Sequence, residues 1–238
     1  MTKLRTTPWD AVQGVLCDGI TIAVGGFGLS GVPFDLVEAV HRSGARDLTI
    51  VANNMCIDGV GTSRLLETGQ VRKIVASYVG ENRLFAEQYL AGMVEVEFVP
   101  QGTLAERLRA GGAGIPAFYT RAGVGTPVAD GKPTTEFDGV TFLQERAIVA
   151  DLALVHAYRG DAEGNLQYRL AARNFNPLVA TAGRATLAEV ELFDDDRFLN
   201  PDVVDTPGIF VDAVVLATHD KLIEQRTVRD PADLTAAV

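Results

Sequence analysis

Short apolar runs alternate with stretches of helical spacing through the first half of the chain, and the turns that join them are only a few residues long. Ile20-Thr21-Ile22-Ala23-Val24 gives way to Gly25-Gly26-Phe27-Gly28-Leu29-Ser30-Gly31-Val32-Pro33 and then to Phe34 to Val40, whose apolar positions recur at helical spacing. The pattern returns with strands at Asp47 to Ala52, Val71 to Val79 and Val94 to Val99, and helices at Ser63 to Thr68, Arg83 to Ala91 and Leu104 to Ala110. A helix between two strands carries the chain back to the strand's starting end, so successive strands run parallel. The expectation is an α/β fold: an open, mostly parallel, doubly wound sheet with helices on both faces and right-handed crossovers.

Local signals refine this. Pro33 suits the first helical position, and Gly44 suits a left-handed helix end. Thr103 with Glu106 spells a capping box for the helix from Leu104. Val94-Glu95-Val96-Glu97-Phe98-Val99 alternates apolar and acidic residues, as a half-exposed or edge strand does. Gly111 to Gly114 marks a tight backbone crossing, and residues 122–138, rich in Gly, Pro, Thr and Asp, read as an irregular excursion with a hairpin turning at Asp130-Gly131. Strand character returns at Val140 to Leu143, Leu152 to Ala157, Leu166 to Arg169, Thr186 to Leu192 and Ala213 to Ala217, and Arg173-Asn174-Phe175-Asn176-Pro177 introduces a helix through Ala182. All 238 residues are expected to form a single domain with a mobile polar tail over about 220–238.

In a parallel sheet of this kind the carboxyl ends of the strands share one edge, where ligands lie. Gly25 to Gly31, Asn53-Asn54, Gly80-Glu81-Asn82 and Pro100-Gln101-Gly102 all fall there. The glycine turn suits an anion, since glycine lets the backbone approach a ligand and the first amides of the following helix lack partners within it. Gly26, Gly28 and Gly31 spell the G-x-G-x-x-G fingerprint, which also requires an acid near the end of the next strand; Asn53-Asn54 stands there instead. A nicotinamide or flavin site is therefore disfavoured.

The formal charge of −10 argues against a general nucleic-acid binder, and no basic cluster is visible. Cys17 and Cys56 are isolated, and His41, His156 and His219 lie far apart, so neither metal-ligand spacing nor a disulfide framework is present. No apolar run approaches membrane-spanning length, and the polar start lacks a secretory core, which makes a cytoplasmic protein the expectation.

Longer ordered stretches carry a resemblance. Asp18-Gly19, Ile22-Ala23-Val24-Gly25-Gly26-Phe27, Gly31 and Pro33 are similar to the first signature of the family I coenzyme A transferases. Ser77-Tyr78-Val79-Gly80-Glu81-Asn82, Pro100 to Arg107, Arg109 to Tyr119 and Ala172-Arg173-Asn174-Phe175-Asn176 resemble the A subunit of that family, in its succinyl-CoA:3-oxoacid branch. The resemblance implies transfer of CoA between two carboxylic acids, such as succinate and acetoacetate or 3-oxoadipate, through a glutamyl-CoA thioester. The family's nucleophilic glutamate sits in a Ser-Glu-Asn-Gly segment of the B subunit, and this chain has no such segment. Glu81 matches a motif of the A subunit instead. The implied partners are a B subunit, in a heterodimer or heterotetramer, an acyl-CoA and a small carboxylic acid, with no metal or redox cofactor; CoA is a substrate.

By the same resemblance, Gly25, Gly26, Phe27, Gly28, Leu29, Ser30 and Gly31 form a CoA-facing loop, and Gln101 supplies an amide donor to the oxyanion that develops in the reaction. Asn53, Asn54, Glu81, Asn82 and Arg173 are candidate pocket residues, Arg173 either meeting a substrate carboxylate or closing an internal salt bridge. Two rivals are a CoA-ester hydrolase subunit of the same fold and a non-catalytic sensor of phosphorylated metabolites.

Overall fold

Residue alternation in the strands decides how the layers stack, and a computed structural model describes residues 2–194 and 199–223. In order these form α1 (Pro8–Val12), β1 (Thr21–Val24), α2 (Phe34–Ser43), β2 (Leu48–Val51), α3 (Ser63–Glu67), β3 (Val71–Ala76), α4 (Arg83–Leu90), β4 (Glu95–Phe98) and α5 (Gln101–Gly112). Then come β5 (Ala117–Thr120), β6 (Thr134–Phe137), β7 (Val140–Arg146), β8 (Ala150–Asp161), β9 (Leu166–Gln167), α6 (Asn176–Ala182), β10 (Gly183–Asp194) and β11 (Ala213–Leu216).

The main sheet runs β11-β10-β8-β1-β2-β3-β4, with β9 added to β8. Neighbours along the path pair parallel, and only β9 is antiparallel. Ile22 and Val24 of β1, Ile50 of β2, Ile74 of β3 and Leu152 and Leu154 of β8 enter one core. Their neighbours Ala23, Val51, Val75, Ala153 and Val155 enter another. The first core takes Val12 of α1, Leu36 and Val40 of α2, Leu65 of α3 and Phe85 of α4; the second takes Leu104 and Leu108 of α5 and Val179 of α6. Helices thus cover both faces, which is why the central strands read as unbroken apolar runs.

β1 lies between β2 and β8, so the winding of the chain reverses direction there, and loops on either side of β1 diverge to leave a crevice. β4 is the edge, as its acids foretold, and its Glu95 and Glu97 both pair with Lys73.

Several local expectations move. The hairpin in the excursion is β6–β7, and it turns at Asp138-Gly139, not at Asp130-Gly131, which follow a short 3-10 turn over Pro127–Ala129. α5 starts at Gln101 instead of Leu104 because Pro100 is its cap; Thr103 is buried inside the helix, and Glu106 pairs with Arg109, so the capping box does not form. Pro33 is the cap of α2, one position before its first turn. A short helix, α1, also forms where the sequence shows no periodic run, because Thr7 and Asp10 cap each other's backbone and Pro8 starts the turn. Of the tail expected to be mobile, residues 224–238 lie outside the described residues. No helix among the described residues is long and apolar enough to cross a membrane.

Candidate functional site

Gly25 to Gly31 leaves the end of β1 as a tight loop: Phe27 and Ser30 exchange both backbone hydrogen bonds at 3.0 Å, with Gly28 at φ 58 on the corner between them. Gly25, Gly26, Gly28, Leu29 and Gly31 are buried, Ser30 is half-buried, and Phe27 projects with 44 % of its surface exposed. Two asparagines at the entrance of α6 hold this loop from behind. Asn174 Nδ2 donates to the Ser30 carbonyl at 2.9 Å, and Asn176 Nδ2 donates to that of Gly31 at 2.9 Å. Asn176 Oδ1 accepts the His156 N–H at 2.8 Å and lies where a Cβ on Gly25 would be, 1.8 Å away; a Cβ on Gly31 would meet the Ala172 carbonyl at 2.5 Å. Gly25 and Gly31 are therefore glycines for close packing against α6.

The anion site expected at the start of α2 is occupied from within the protein. Phe34 N–H bonds Val32, Val37 N–H bonds Pro33, and the N–H groups of Asp35 and Leu36 donate to Glu189 Oε2 at 2.7 and 3.1 Å. A buried carboxylate thus takes the place in the helix field that a ligand phosphate would need. Glu189 stands opposite His156 in the β8–β10 register; its Oε1 faces His156 Nδ1 at 3.4 Å, while His156 Nε2 meets Glu191 at 3.1 Å. Burial raises the Glu189 carboxyl above its usual range despite the opposing pull of His156. Burial pushes the His156 imidazole down, but Glu189 and Glu191 outweigh it and hold its pKa above the ordinary value. Asp35 is the mirror case: burial pushes its carboxyl up, yet the hydrogen bonds of Thr218 and His219 bring it below the usual range. Neither Glu189 nor His156 emerged from the sequence reading. The available signal was an acid, Glu189, at a core position of the apolar strand Thr186 to Leu192.

At the end of β2, Asn53 is 2 % exposed. Its Nδ2 donates to Ser77 Oγ at 2.9 Å and to Gln101 Oε1 at 3.4 Å. Gln101 is exposed in the first turn of α5, and its Nε2 has no acceptor among the described residues. Asn54, half-buried, accepts the Cys56 N–H at 3.4 Å. Cys56 itself is held at φ 56, an uncommon conformation for a residue with a Cβ. A small cavity runs from Gly25, Gly26 and Gly28 to Asn53 and Asn54, so the loops after β1 and β2 share one wall.

Two of the remaining candidates are engaged elsewhere. Asn82 is buried as the N-cap of α4, accepting the Phe85 N–H at 2.8 Å and donating to the Met55 carbonyl at 2.8 Å. Arg173 closes the internal salt bridge, to Asp205 at 2.7 Å, and stands 55 % exposed. Glu81 is exposed on the turn before α4. A groove of about 490 Å3 lies between α1 and α2 and is lined by Trp9, Asp35, Glu38, Arg42 and His219. Its carboxylates are already paired, Asp35 with Thr218 and His219 and Glu38 with Arg42 and Arg64, and none of the predicted residues lines it. The strand ends bearing Gln101 and the glycine loop remain the better candidate. Among the described residues no group of three or more His, Cys, Asp or Glu is placed to hold a metal ion.

The family described as Coenzyme A transferase matches residues 5–217. Over 220 residues the chain is 58 % identical to the A subunit of succinyl-CoA:3-ketoacid coenzyme A transferase from Xanthomonas campestris pv. campestris (strain B100), covering 92 % of this chain and 91 % of that one. It is 49 % identical over 230 residues to the protein of the same name from Helicobacter pylori (strain J99 / ATCC 700824), covering 96 % and 99 %. Among solved structures, glutaconate coenzyme A-transferase from Acidaminococcus fermentans superposes with a TM-score of 0.78 at 23 % identity, over 91 % of this chain and 76 % of that one. The E. coli O157:H7 acyl-CoA transferase (YdiF) in its thioester complex with CoA gives 0.83 at 23 % identity, over 94 % of this chain and 51 % of that one; the present chain thus spans about half its length. At such identities the likeness is one of fold.

Proposed function

The chain belongs to the coenzyme A transferase family, and from that premise we propose that it is the A subunit of a succinyl-CoA:3-oxoacid CoA-transferase. One observation carries the reading: the 58 % identity to the corresponding chain of an enzyme named for that activity runs through nearly the whole length. The reaction moves CoA from succinyl-CoA to a 3-oxo acid such as acetoacetate or 3-oxoadipate. Its covalent carrier is a glutamate of a separate B subunit, which becomes first a mixed anhydride with the acyl group and then a thioester with CoA. This chain contributes the other wall of a shared site, within a cytoplasmic heterodimer or dimer of heterodimers.

Gln101 is the residue of this chain that meets the reacting atoms. As thiolate attacks or leaves the glutamyl carbonyl, negative charge collects on its oxygen, and the Nε2–H of Gln101 donates to it. A preorganised amide donor of this kind contributes about 2.7–4 kcal/mol in comparable sites. The glycine loop faces CoA through its own backbone and Phe27, since the amides of α2 are already bonded. Neither metal nor redox cofactor enters these steps.

The test is reconstitution. The purified chain alone is expected to show no transfer from succinyl-CoA to acetoacetate, and addition of the B subunit to restore it; steady turnover by the single chain would overturn the shared site. Release of CoA from succinyl-CoA at the same rate without acceptor acid would mark a hydrolase instead.

A further inference from the structure

The hydrogen bonds around Asn53 reach one step past this reading. Asn53 is buried at the end of β2, and it bonds through one end of its side-chain amide: Nδ2 donates to both Ser77 Oγ and Gln101 Oε1. Its Oδ1 is buried with no partner among the described residues. An unpaired buried acceptor costs stability, and in a native protein it calls for a reason.

Ser77 supplies the reason. Its hydroxyl has a single hydrogen, and that hydrogen goes to the main-chain carbonyl of Asn53 at 3.2 Å. Toward the Asn53 side chain the Ser77 oxygen can then only accept, so Asn53 must present Nδ2 there. The same Nδ2 reaches Gln101, where it can only meet an acceptor. Gln101 accordingly turns Oε1 inward, and its Nε2 is left as the outward donor. Reversing the Asn53 amide would supply Oδ1 a partner but draw Gln101 Nε2 into the protein.

We infer that Asn53 is a positioning residue that acts through Gln101, fixing which end of the glutamine amide is offered to the reacting carbonyl oxygen. This rests on the reading of Gln101 as the oxyanion donor. Asn53 itself is 2 % exposed, and the end of its amide that meets Gln101 is held by Ser77.

The experiment is a double-mutant cycle on the assembled two-chain enzyme, with succinyl-CoA and acetoacetate as substrates. In Asn53→Asp an ionised carboxylate offers only acceptors, so Gln101 turns Nε2 inward and the donor is withdrawn. The expected result is a fall in kcat of about tenfold or more with the KM for succinyl-CoA unchanged, and no further fall when Asn53→Asp is added to Gln101→Ala. Ser77→Ala, at a half-buried position, removes the hydroxyl that sets the amide; it should give the same coupling with a smaller fall, and it carries the test if Asn53→Asp does not assemble. Equal losses with and without Gln101 would overturn the inference, as would full turnover in both Asn53→Asp and Ser77→Ala. Full turnover in Gln101→Ala alone would instead remove the oxyanion reading on which it stands.

Discussion

Gly25 and Gly31 illustrate how one residue type can be read two ways. In the sequence they are a flexible turn waiting for an anion; in the fold they are the two places where Asn176 and Ala172 press against the backbone. Gly25→Ala sets a methyl against Asn176 Oδ1 and the main chain of α6, neither of which is the loose end of a long side chain. We expect a loss of roughly 1–3 kcal/mol or more, as for other overpacked interiors, read as a lower thermal midpoint; an unchanged midpoint would show that α6 gives way freely. The pair His156 and Glu189 sets a pH dependence at the same scale. His156 has its pKa raised on folding, so it binds its proton more tightly in the folded state. Its contribution is complete below the unfolded value and is lost as pH rises through the folded one. The urea midpoint should therefore fall as pH rises above the ordinary imidazole value of about 6.5, and His156→Gln should flatten that slope. A midpoint that rises there would contradict the arrangement. Asp35 acts with the opposite sign, its stabilisation being lost only in acid.

Helix termini are where sequence signals and structure part most often. The Thr103–Glu106 pair has the spacing of a capping box, but Pro100 ends β4's loop and opens the helix two residues before Thr103, and packing of Leu104 and Leu108 against the sheet fixes that phase. The shift matters because it puts Gln101 in the first turn of α5, beside Asn53. At α4 the cap is Asn82, which also ties the helix start to Met55 after β2. Asn82→Ala removes both bonds at a buried site. A loss of about 1–2 kcal/mol is expected from the cap itself. If the chemical-denaturation midpoint does not move, the cap is not what holds the turn bearing Glu81.

Across the whole molecule, the parallel sheet and its two helical layers were legible in the strand and helix spacing, because burial on both faces leaves continuous apolar runs separated by short turns. The edge position of β4 was legible in its alternation of apolar and acidic residues, and the convergence of four loops on one side of the sheet in the parallel run of the strands. The groove between α1 and α2 was not, since it depends on how the segment after β11 returns to α2 through Asp35. Dependence on a second chain belongs at this scale too, and the reconstitution assay addresses it.

Sequence by itself determined the alternation of strands and helices from β1 to α5, the loops that meet at the carboxyl ends, the lack of a Ser-Glu-Asn-Gly nucleophile segment and the family, since all of these are local patterns or ordered strings of residues. Only the tertiary structure decided that the start of α2 is filled by Glu189, that Asn176 accounts for Gly25, and that Asn53 Nδ2 meets the amide oxygen of Gln101. Each of these joins residues dozens of positions apart or more. Hydrogen-bond direction and steric exclusion are properties of groups brought face to face, and no local periodicity records which distant group will arrive.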